Sequence, residues 1–246
     1  MTRVLAVDDP LALAATAAIR TGDLVRLRSL LAEQPWLAAA RIGPRSLLHV
    51  VADWPGHVPH GARTVSTLVE AGADVNARFL GGHVETPLHW AASCDDVAVL
   101  DALLDAGADI EAPGAVLGGG SPLADARGFK QWRAAWRLVE RGASTTLADA
   151  AGLGLGDRVA ALLAARPDAE QVSLALWAAC HGGRTACAEL LLAHGADLDV
   201  VPPWEELTPL DAAERDGADE LAGWLRERGA HRFAELTGPG GWVTSR

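Results

Sequence analysis

The stretch Thr86-Pro87-Leu88-His89-Trp90-Ala91-Ala92 decides the fold of this chain. Threonine can cap a helix, and proline at the first helical position gives up an N–H that would have no partner there. The two alanines allow a second helix to pack closely. Gly107-Ala108-Asp109 follows Ala92 after fifteen residues, and glycine commonly ends a helix in the left-handed conformation. The segment therefore predicts two short helices joined by a turn.

The same unit recurs in degraded form along the chain. The interval from Thr86 to Ser121 is 35 residues, and the interval from Gly107 to Gly142 is again 35. A coincidence of both intervals is improbable without a repeat. The other copies that carry a partial signature open at Ser46, Ser173 and Thr208, and an atypical first pair of helices opens at Pro10. We therefore expect about seven helix pairs over residues 10–236.

The segment TPLHWAA, followed by GAD, resembles the ankyrin repeat, which has a T-P-L-H-x-A signature and a period near 33 residues. The resemblance implies an all-α ankyrin-repeat solenoid of about seven helix-turn-helix pairs with short β-hairpin fingers and no central sheet. It further implies a single ankyrin repeat domain over residues 10–236, which leaves residues 237–246 as a flexible tail. His49 and His89 occupy the histidine position of the signature, where the family uses the imidazole to join successive turns.

Two segments depart from the repeat period. Residues 53–61 carry two prolines and two glycines, and they predict a long loop between the helices of the second pair. After Gly142 the helical pattern resumes at Thr145 without room for a finger. We expect a tight turn there, with a change of curvature that divides the groove into two halves.

Composition limits the classes of partner. The chain has 246 residues, a net charge of −11 and a pI near 5.1. Nucleic acids and anionic membranes attract basic surfaces, so we expect neither as a partner.

The cysteines are Cys94, Cys180 and Cys187, an odd number without a C-x-x-C pair, which favours reduced thiols in a cytoplasmic protein. The first residues are too acidic for a signal peptide, and no apolar run is long enough to span a membrane.

The tryptophans are the most unusual feature of the sequence. In the ankyrin family the first helices line a concave groove, and the residues after the Ala-Ala pair and at the finger tips vary for recognition. Trp54, Trp90, Trp177 and Trp204 fall on such positions, where they either pack the core or wall a binding site. The predicted binding residues are Trp54, Phe79, His83, Glu85, Trp90, Cys94, Asp125, Phe129, Trp177, His181 and Trp204.

Several titratable residues are candidates for proton transfer if the protein is an enzyme, a question that the sequence leaves open. They are Asp53, His57, His60, His83, Asp125 and His181. His57, His60 and His83 could hold zinc together with a carboxylate, but an H-x-x-H between prolines is more often an ordinary loop, so we predict no metal site. Cys180 and His181 are adjacent, and neighbouring helical side chains point about 100° apart, so they do not meet. No phosphate loop or dinucleotide motif is present, and we predict no cofactor.

The leading interpretation is a cytosolic binding scaffold that uses its concave groove for a protein partner. The alternative is a small-molecule-binding protein or an enzyme, with an aromatic, histidine- and aspartate-lined pocket in the concave face of the N-terminal repeats. In either case the 53–61 loop and the fingers at residues 78–83 and 113–120 should reach the same region. We therefore expect Trp54, His57, His60, His83, Trp90, Cys94 and Asp125 to converge.

Overall fold

A computed structural model describes residues 2–116 and 118–237 of the chain. Fifteen α-helices lie in this described part, and the first fourteen form seven contacting pairs in chain order. The contacts divide the chain into two compact units, Met1–Ser144 and Thr145–Arg246, called unit 1 and unit 2 below. The repeated helix pairs confirm the predicted fold class. The single domain over residues 10–236 stays a prediction, and residues 238–246 of the expected tail lie outside the described residues.

Unit 1 contains four helix pairs, and the first helices of its later pairs contact each other. The pairs are α1 (Pro10–Thr21) with α2 (Leu24–Glu33), α3 (Leu47–Ala52) with α4 (Gly61–Glu70), α5 (Pro87–Ser93) with α6 (Val97–Asp105), and α7 (Pro122–Gly128) with α8 (Trp132–Glu140). Helix α5 packs between α3 and α7, and α6 packs between α4 and α8. The core between these layers is made mostly of leucine and alanine, including Leu48, Leu88, Leu103, Leu123 and Leu138.

Unit 2 contains three helix pairs and a short terminal helix. They are α9 (Leu147–Leu153) with α10 (Gly156–Ala164), α11 (Ala169–His181) with α12 (Thr185–Ala193), α13 (Pro209–Arg215) with α14 (Asp219–Arg226), and then α15 (Phe233–Thr237). Helix α11 packs against both α9 and α13. It begins four residues before Ser173, the start expected from the sequence, because Asp168 and Gln171 form a capping box.

A small sheet occupies the first finger. Strand β1 (Val4–Leu5) pairs in parallel with β2 (Arg41–Ile42), which pairs antiparallel with β3 (Arg45–Ser46). The described residues contain no strand in the later fingers. In the finger at residues 78–83 the Phe79 N–H donates to the Glu85 carbonyl over 2.8 Å, and Nη1 of Arg78 donates to the Val84 carbonyl over 3.1 Å. The later fingers are rich in glycine and proline, which are poor strand formers, so they form turns.

The glycines of the repeat end their helices as predicted. Gly72, Gly107, Gly142 and Gly195 follow α4, α6, α8 and α12 with φ angles between 86° and 98°. This left-handed region costs glycine little because it has no Cβ. The N–H groups that follow these turns bond back to helix carbonyls, as when the Ala108 N–H donates to Leu103 over 2.9 Å.

The two departures from the repeat are visible in the connections. Residues 53–60 form the long loop between α3 and α4, and residues 141–146 alone join α8 to α9. The change of curvature expected near Thr145 stays a prediction. Within residues 2–116 and 118–237, none of the helices has both the length and the apolar character needed to cross a membrane.

Candidate binding site

Unit 1 contains a cavity of about 430 Å³ between the ends of three neighbouring first helices. Its wall combines the C-terminal ends of α3 and α5 with the loop that follows each of them. The fingers at residues 78–83 and 113–120 and the end of α7 complete it. The lining residues are Ala52, Asp53, Trp54, His83, Glu85, Trp90, Ser93, Cys94, Val116, Phe129 and Gln131. Seven of these are predicted site residues, which come from repeats that stand side by side.

Three rings pack together at one wall of the cavity, and two of them, His83 and Trp90, line it. The rings of Phe79 and His83 stack, with centroids 4.4 Å apart and planes 16° apart. Trp90 tilts against both, at centroid distances of 5.3 Å from Phe79 and 6.3 Å from His83. Behind Trp90 lies His49, whose ring meets it edge-on at 4.9 Å. The finger at residues 78–83 is therefore held to α5 by ring packing rather than by strand pairing.

Glu85 is a carboxylate buried in this wall, with only 5% of its surface exposed. Its Oε2 accepts a hydrogen bond from Nε1 of Trp90 over 2.9 Å, and its Oε1 accepts one from the Val116 N–H over 3.3 Å. Nδ1 of His83 lies 2.7 Å from Oε2, without the alignment of a hydrogen bond. Glu85 therefore fixes the Trp90 ring and joins two successive fingers.

Asp53 lies on the opposite side, where two arginines from other elements hold it. Its Oδ2 lies 3.2 Å from Nη2 of Arg20 on α1 and 2.8 Å from Nη1 of Arg45 on β3. The loop continues to His57, whose N–H donates to Oδ2 of Asp96 over 2.6 Å. These bonds attach the 53–60 loop to the first and third helix pairs as well as its own.

Two aromatic side chains stand at the mouth of the cavity. Trp54 is 79% exposed and Phe129 is 44% exposed, although both line it. Apolar rings exposed around a hollow are typical of binding surfaces, because water contact with them is unfavourable. A ligand bound at the mouth would therefore remove apolar surface of both rings from water.

The thiol of Cys94 lines the same cavity but is poorly suited to nucleophilic chemistry. Burial raises its pKa to about 11, and the carboxylates of Asp53 and Asp96 add to the increase. A thiol with this pKa is protonated at neutral pH, whereas the nucleophile is the thiolate. Sγ instead donates to the Ala52 carbonyl over 3.6 Å.

The signature histidines are structural. The Thr86 N–H donates to Nδ1 of His89 over 3.1 Å, so Nε2 carries the proton and donates to the Gly120 carbonyl over 3.4 Å. His49 repeats this arrangement, with Ser46 on one side and the Glu85 carbonyl on the other. Burial lowers the pKa of each histidine to about 4, so both rings are neutral at physiological pH.

Three of the candidate residues lie away from this cavity. His57 and His60 line a separate hollow beside α4, together with Asp96 and Arg63. Asp125 is fully buried on α7. The described residues contain no group of three or more His, Cys, Asp or Glu side chains placed to hold a metal ion. The expected convergence therefore joins Trp54, His83, Trp90 and Cys94 in one cavity but leaves these three outside it.

The C-terminal candidates form a second cluster, within unit 2. The rings of Trp177 and His181 stack at 5.1 Å, and Trp204 meets Trp177 edge-on at 6.2 Å. Nδ1 of His181 lies 2.9 Å from Oδ2 of Asp216, and both side chains are almost completely buried. Arg215 contacts Asp216 and Glu205, so the finger at residues 200–206 is attached to α13. His181 therefore faces this cluster, while Cys180 packs in the unit 2 core.

The ankyrin repeat family model matches the chain at two places, residues 85–115 and 174–201. These two segments match ankyrin repeats. The matched segments are the third and sixth helix pairs with the fingers that follow them, one in each unit. Ankyrin repeats generally mediate protein–protein interaction.

A crystal structure of the human ASB11 ankyrin repeat domain is similar to this chain at 24% sequence identity. The similarity covers 96% of this chain and 94% of that chain, with a TM-score of 0.46. A similarity of this degree carries no argument by itself. None of the curated proteins matches this chain.

Sequence reasoning missed the residues that hold the predicted ones in place. In unit 1 these are Arg20 and Arg45, and in unit 2 they are Arg215 and Asp216. Arg215 and Asp216 stand at the repeat positions of Ser93 and Cys94, so their position was a usable signal. Arg20 and Arg45 lie outside the recognition positions of their repeats, and no signal in the sequence pairs them with Asp53.

Proposed function

We propose that this ankyrin-repeat protein is a cytosolic binding scaffold, and that the face of unit 1 formed by α3, α5 and α7 binds a protein partner. On this proposal the cavity beside Trp54 and Trp90 receives an anchoring side chain of the partner. Aromatic residues in a well-packed pocket are the usual centres of binding energy in protein interfaces.

The exposed pair Trp54 and Phe129 at the mouth of a cavity carries the proposal. A scaffold needs a ring of apolar contact around its anchor pocket, because excluding water from the rim strengthens the contacts inside. The other lining groups support binding rather than chemistry. Asp53 is held by two arginines, Glu85 is engaged by Trp90, and the Cys94 thiol is protonated at neutral pH.

The cytosolic location rests on a separate observation. All three cysteines are free, and two of them are buried in unit 2. Reduced thiols are typical of compartments in which glutathione and thioredoxin keep cysteines from pairing. Fractionation of cells that express the protein would test this part of the proposal directly.

A small-molecule-binding protein is the second candidate. The cavity volume, about 430 Å³, falls inside the range of roughly 300–1,000 Å³ that is usual for ligand pockets. On this alternative the polar groups Glu85, His83 and Gln131 would orient the ligand, and the rings of Trp54 and Trp90 would cover it.

Selection from a displayed peptide library would test the scaffold. We expect peptides that bind the wild-type chain and lose at least about tenfold in affinity for Trp54→Leu, a loss typical of interface hot spots. Trp136→Leu is the matched control, because Trp136 is partly exposed on α8 and does not line the cavity. Peptides that bind Trp54→Leu and Phe129→Leu as well as wild type would contradict the proposed site.

A parallel screen with small molecules separates the two candidates. If a metabolite raises the melting temperature of the wild-type chain but not of Trp54→Leu, and no peptide is selected, the small-molecule function is supported instead. Circular dichroism of each variant should match that of the wild type, since Trp54 is mostly exposed.

A further inference from the structure

The negative charge in the unit 1 cavity is concentrated on Glu85. Asp53 is the other acid that lines it, and Arg20 and Arg45 both contact its Oδ2. Glu85 instead accepts its hydrogen bonds from two neutral donors, the Trp90 indole and the Val116 N–H. The nearest group that can carry a compensating positive charge is His83, at 2.7 Å. None of the arginines and lysines among the described residues forms an ion pair with this buried carboxylate.

Aromatic side chains line the same cavity as this carboxylate. Trp54, Trp90 and Phe129 line the cavity, and the stacked pair of Phe79 and His83 backs the wall. The face of a tryptophan or phenylalanine ring is negative, so a cation placed over it is attracted, most strongly where water is excluded. A buried carboxylate in a cavity lined by aromatic rings favours a positively charged ligand whose desolvation costs little free energy.

The hydrogen bonds already formed in the cavity indicate which kind of cation fits. A lysine ammonium has three N–H donors that need acceptors when they leave water. Oε1 and Oε2 of Glu85 and Oδ2 of Asp53 already accept hydrogen bonds, so a lysine ammonium would have to share these acceptors with the donors that they hold. A trimethylated ammonium keeps the charge and has no N–H to satisfy, so its desolvation costs less.

We propose that the cavity of unit 1 binds a trimethylated lysine side chain of the protein partner. This inference rests on the proposed function, since it names the side chain that the cavity would anchor. The net charge of −11 on the chain agrees with a partner segment that is basic. The volume of about 430 Å³ leaves space for the methylene stem of the lysine beside Cys94 and Ser93 as well as for its head group.

A pair of small probes of equal shape isolates the contribution of the charge. Choline carries a trimethylammonium group, and 3,3-dimethyl-1-butanol has the same shape with a neutral carbon in place of the nitrogen. In a titration followed by NMR at the Trp90 indole N–H, we expect saturable choline binding near the millimolar range and at least about fivefold weaker binding of the neutral alcohol. If the two probes bind equally well, the inference is wrong. It is also wrong if choline shows no saturable binding up to roughly a hundred times the millimolar range.

A second pair of probes tests the lysine itself. We expect the trimethylated form of Nα-acetyl-lysine amide to bind at least about fivefold more tightly than the unmethylated form. If the unmethylated amide binds equally well, the cavity recognises an ammonium through hydrogen bonds and the inference is wrong. If choline binds more tightly than the trimethylated amide, the ligand is a small quaternary ammonium and the assignment to lysine is wrong.

Variants locate the binding. Trp54→Leu and Glu85→Gln should each weaken binding of the trimethylated amide by about fivefold, while Trp136→Leu should leave it unchanged. Glu85→Gln keeps an oxygen that can accept from Trp90 but removes the charge, and melting curves would show whether it folds. The displayed library separates the two proposals. If its peptides need Trp54 for binding but carry no cationic side chain in the cavity, the proposed scaffold function is supported and the assignment to trimethylated lysine is wrong.

Discussion

At the scale of single residues, the signature histidines make the stability of unit 1 depend on pH. His49 and His89 each accept a backbone N–H at Nδ1, which a protonated ring cannot do. Their pKa of about 4 in the folded chain lies below the ordinary value of 6.5. The unfolded chain therefore binds more protons between these two values, and folding loses stability as the pH falls from 6.5 towards 4.

This loss can be measured by urea unfolding of the wild type and of His89→Gln. We expect each histidine to cost about 3 kcal/mol in unfolding free energy across that pH window. His89→Gln should be less stable than wild type at neutral pH, but its stability should fall by about 3 kcal/mol less on acidification. If the unfolding free energies of the two proteins fall by the same amount between pH 6.5 and pH 4, His89 is not buried in the neutral form.

The thiol of Cys94 gives a second prediction at the same scale. Because its pKa is about 11, we expect slow alkylation by iodoacetamide at neutral pH in the native chain. The rate should rise about tenfold per pH unit up to that pKa, since only the thiolate reacts. Cys180 is fully buried, and burial raises its pKa, so it should react only after unfolding. Rapid native alkylation at Cys94, identified by mass spectrometry, would contradict the assigned environment.

The sequence was informative about residue types at the site and uninformative about their partners. Trp54, Trp90 and His83 could be placed near one another because equivalent positions of adjacent repeats lie side by side. The pairing of Asp53 with Arg20 depends on how the 53–60 loop folds back, and loop paths leave little periodic signal. Asp125 was predicted as a binding residue, yet it is fully buried on α7.

At the scale of the elements, the glycines that end helices differ from those inside them. Gly195 has a φ of 86°, and a Cβ there would meet nothing within 4 Å, so only the backbone conformation restricts it. Gly195→Ala should lower the unfolding free energy by about 1 kcal/mol. Gly223 lies inside α14 with equally open space, and Gly223→Ala should raise stability by about 0.5–1 kcal/mol. Thermal melts of the two variants should shift in opposite directions, and equal shifts would contradict the assigned conformations.

A row of side chains joins successive repeats and was not predicted from the sequence. The residue two places after each G-A-D turn accepts a backbone N–H of the following repeat. Asn76 accepts from Asp109 over 2.8 Å, Glu111 from Ser144 over 2.6 Å, and Asp199 from His231 over 2.7 Å. The fold prediction succeeded because the turn glycines and the apolar spacing of the helices recur along the chain. The fingers were predicted less well, because the conformation of a glycine-rich turn depends on side-chain hydrogen bonds of this kind, which leave no alternating strand pattern in the sequence.

At the scale of the whole molecule, stability is a sum of contacts between neighbouring repeats. Leu103 is fully buried on α6, which packs against α4, α5 and α8. Leu103→Ala should lower stability by about 2–5 kcal/mol. Hydrogen exchange should accelerate most in those three helices, because local unfolding spreads through direct contacts. Leu13→Ala, at an exposed position of α1, is the control and should change stability by less than about 0.5 kcal/mol. Uniform acceleration along the chain would contradict nearest-neighbour coupling.

The 53–60 loop has a consequence for how this array could be rearranged by recombination. In a regular solenoid a single repeat can be duplicated or transplanted, because each copy offers its neighbours the same surfaces. Here the loop of the second repeat bonds to Arg20 in the first repeat and to Asp96 in the third. A second repeat moved alone would leave both contacts behind, so the smallest exchangeable module in this part of the chain is three repeats long. Anyone grafting this cavity onto another ankyrin array would therefore have to transfer the first three repeats as one block, and add the end of α7 to supply Phe129.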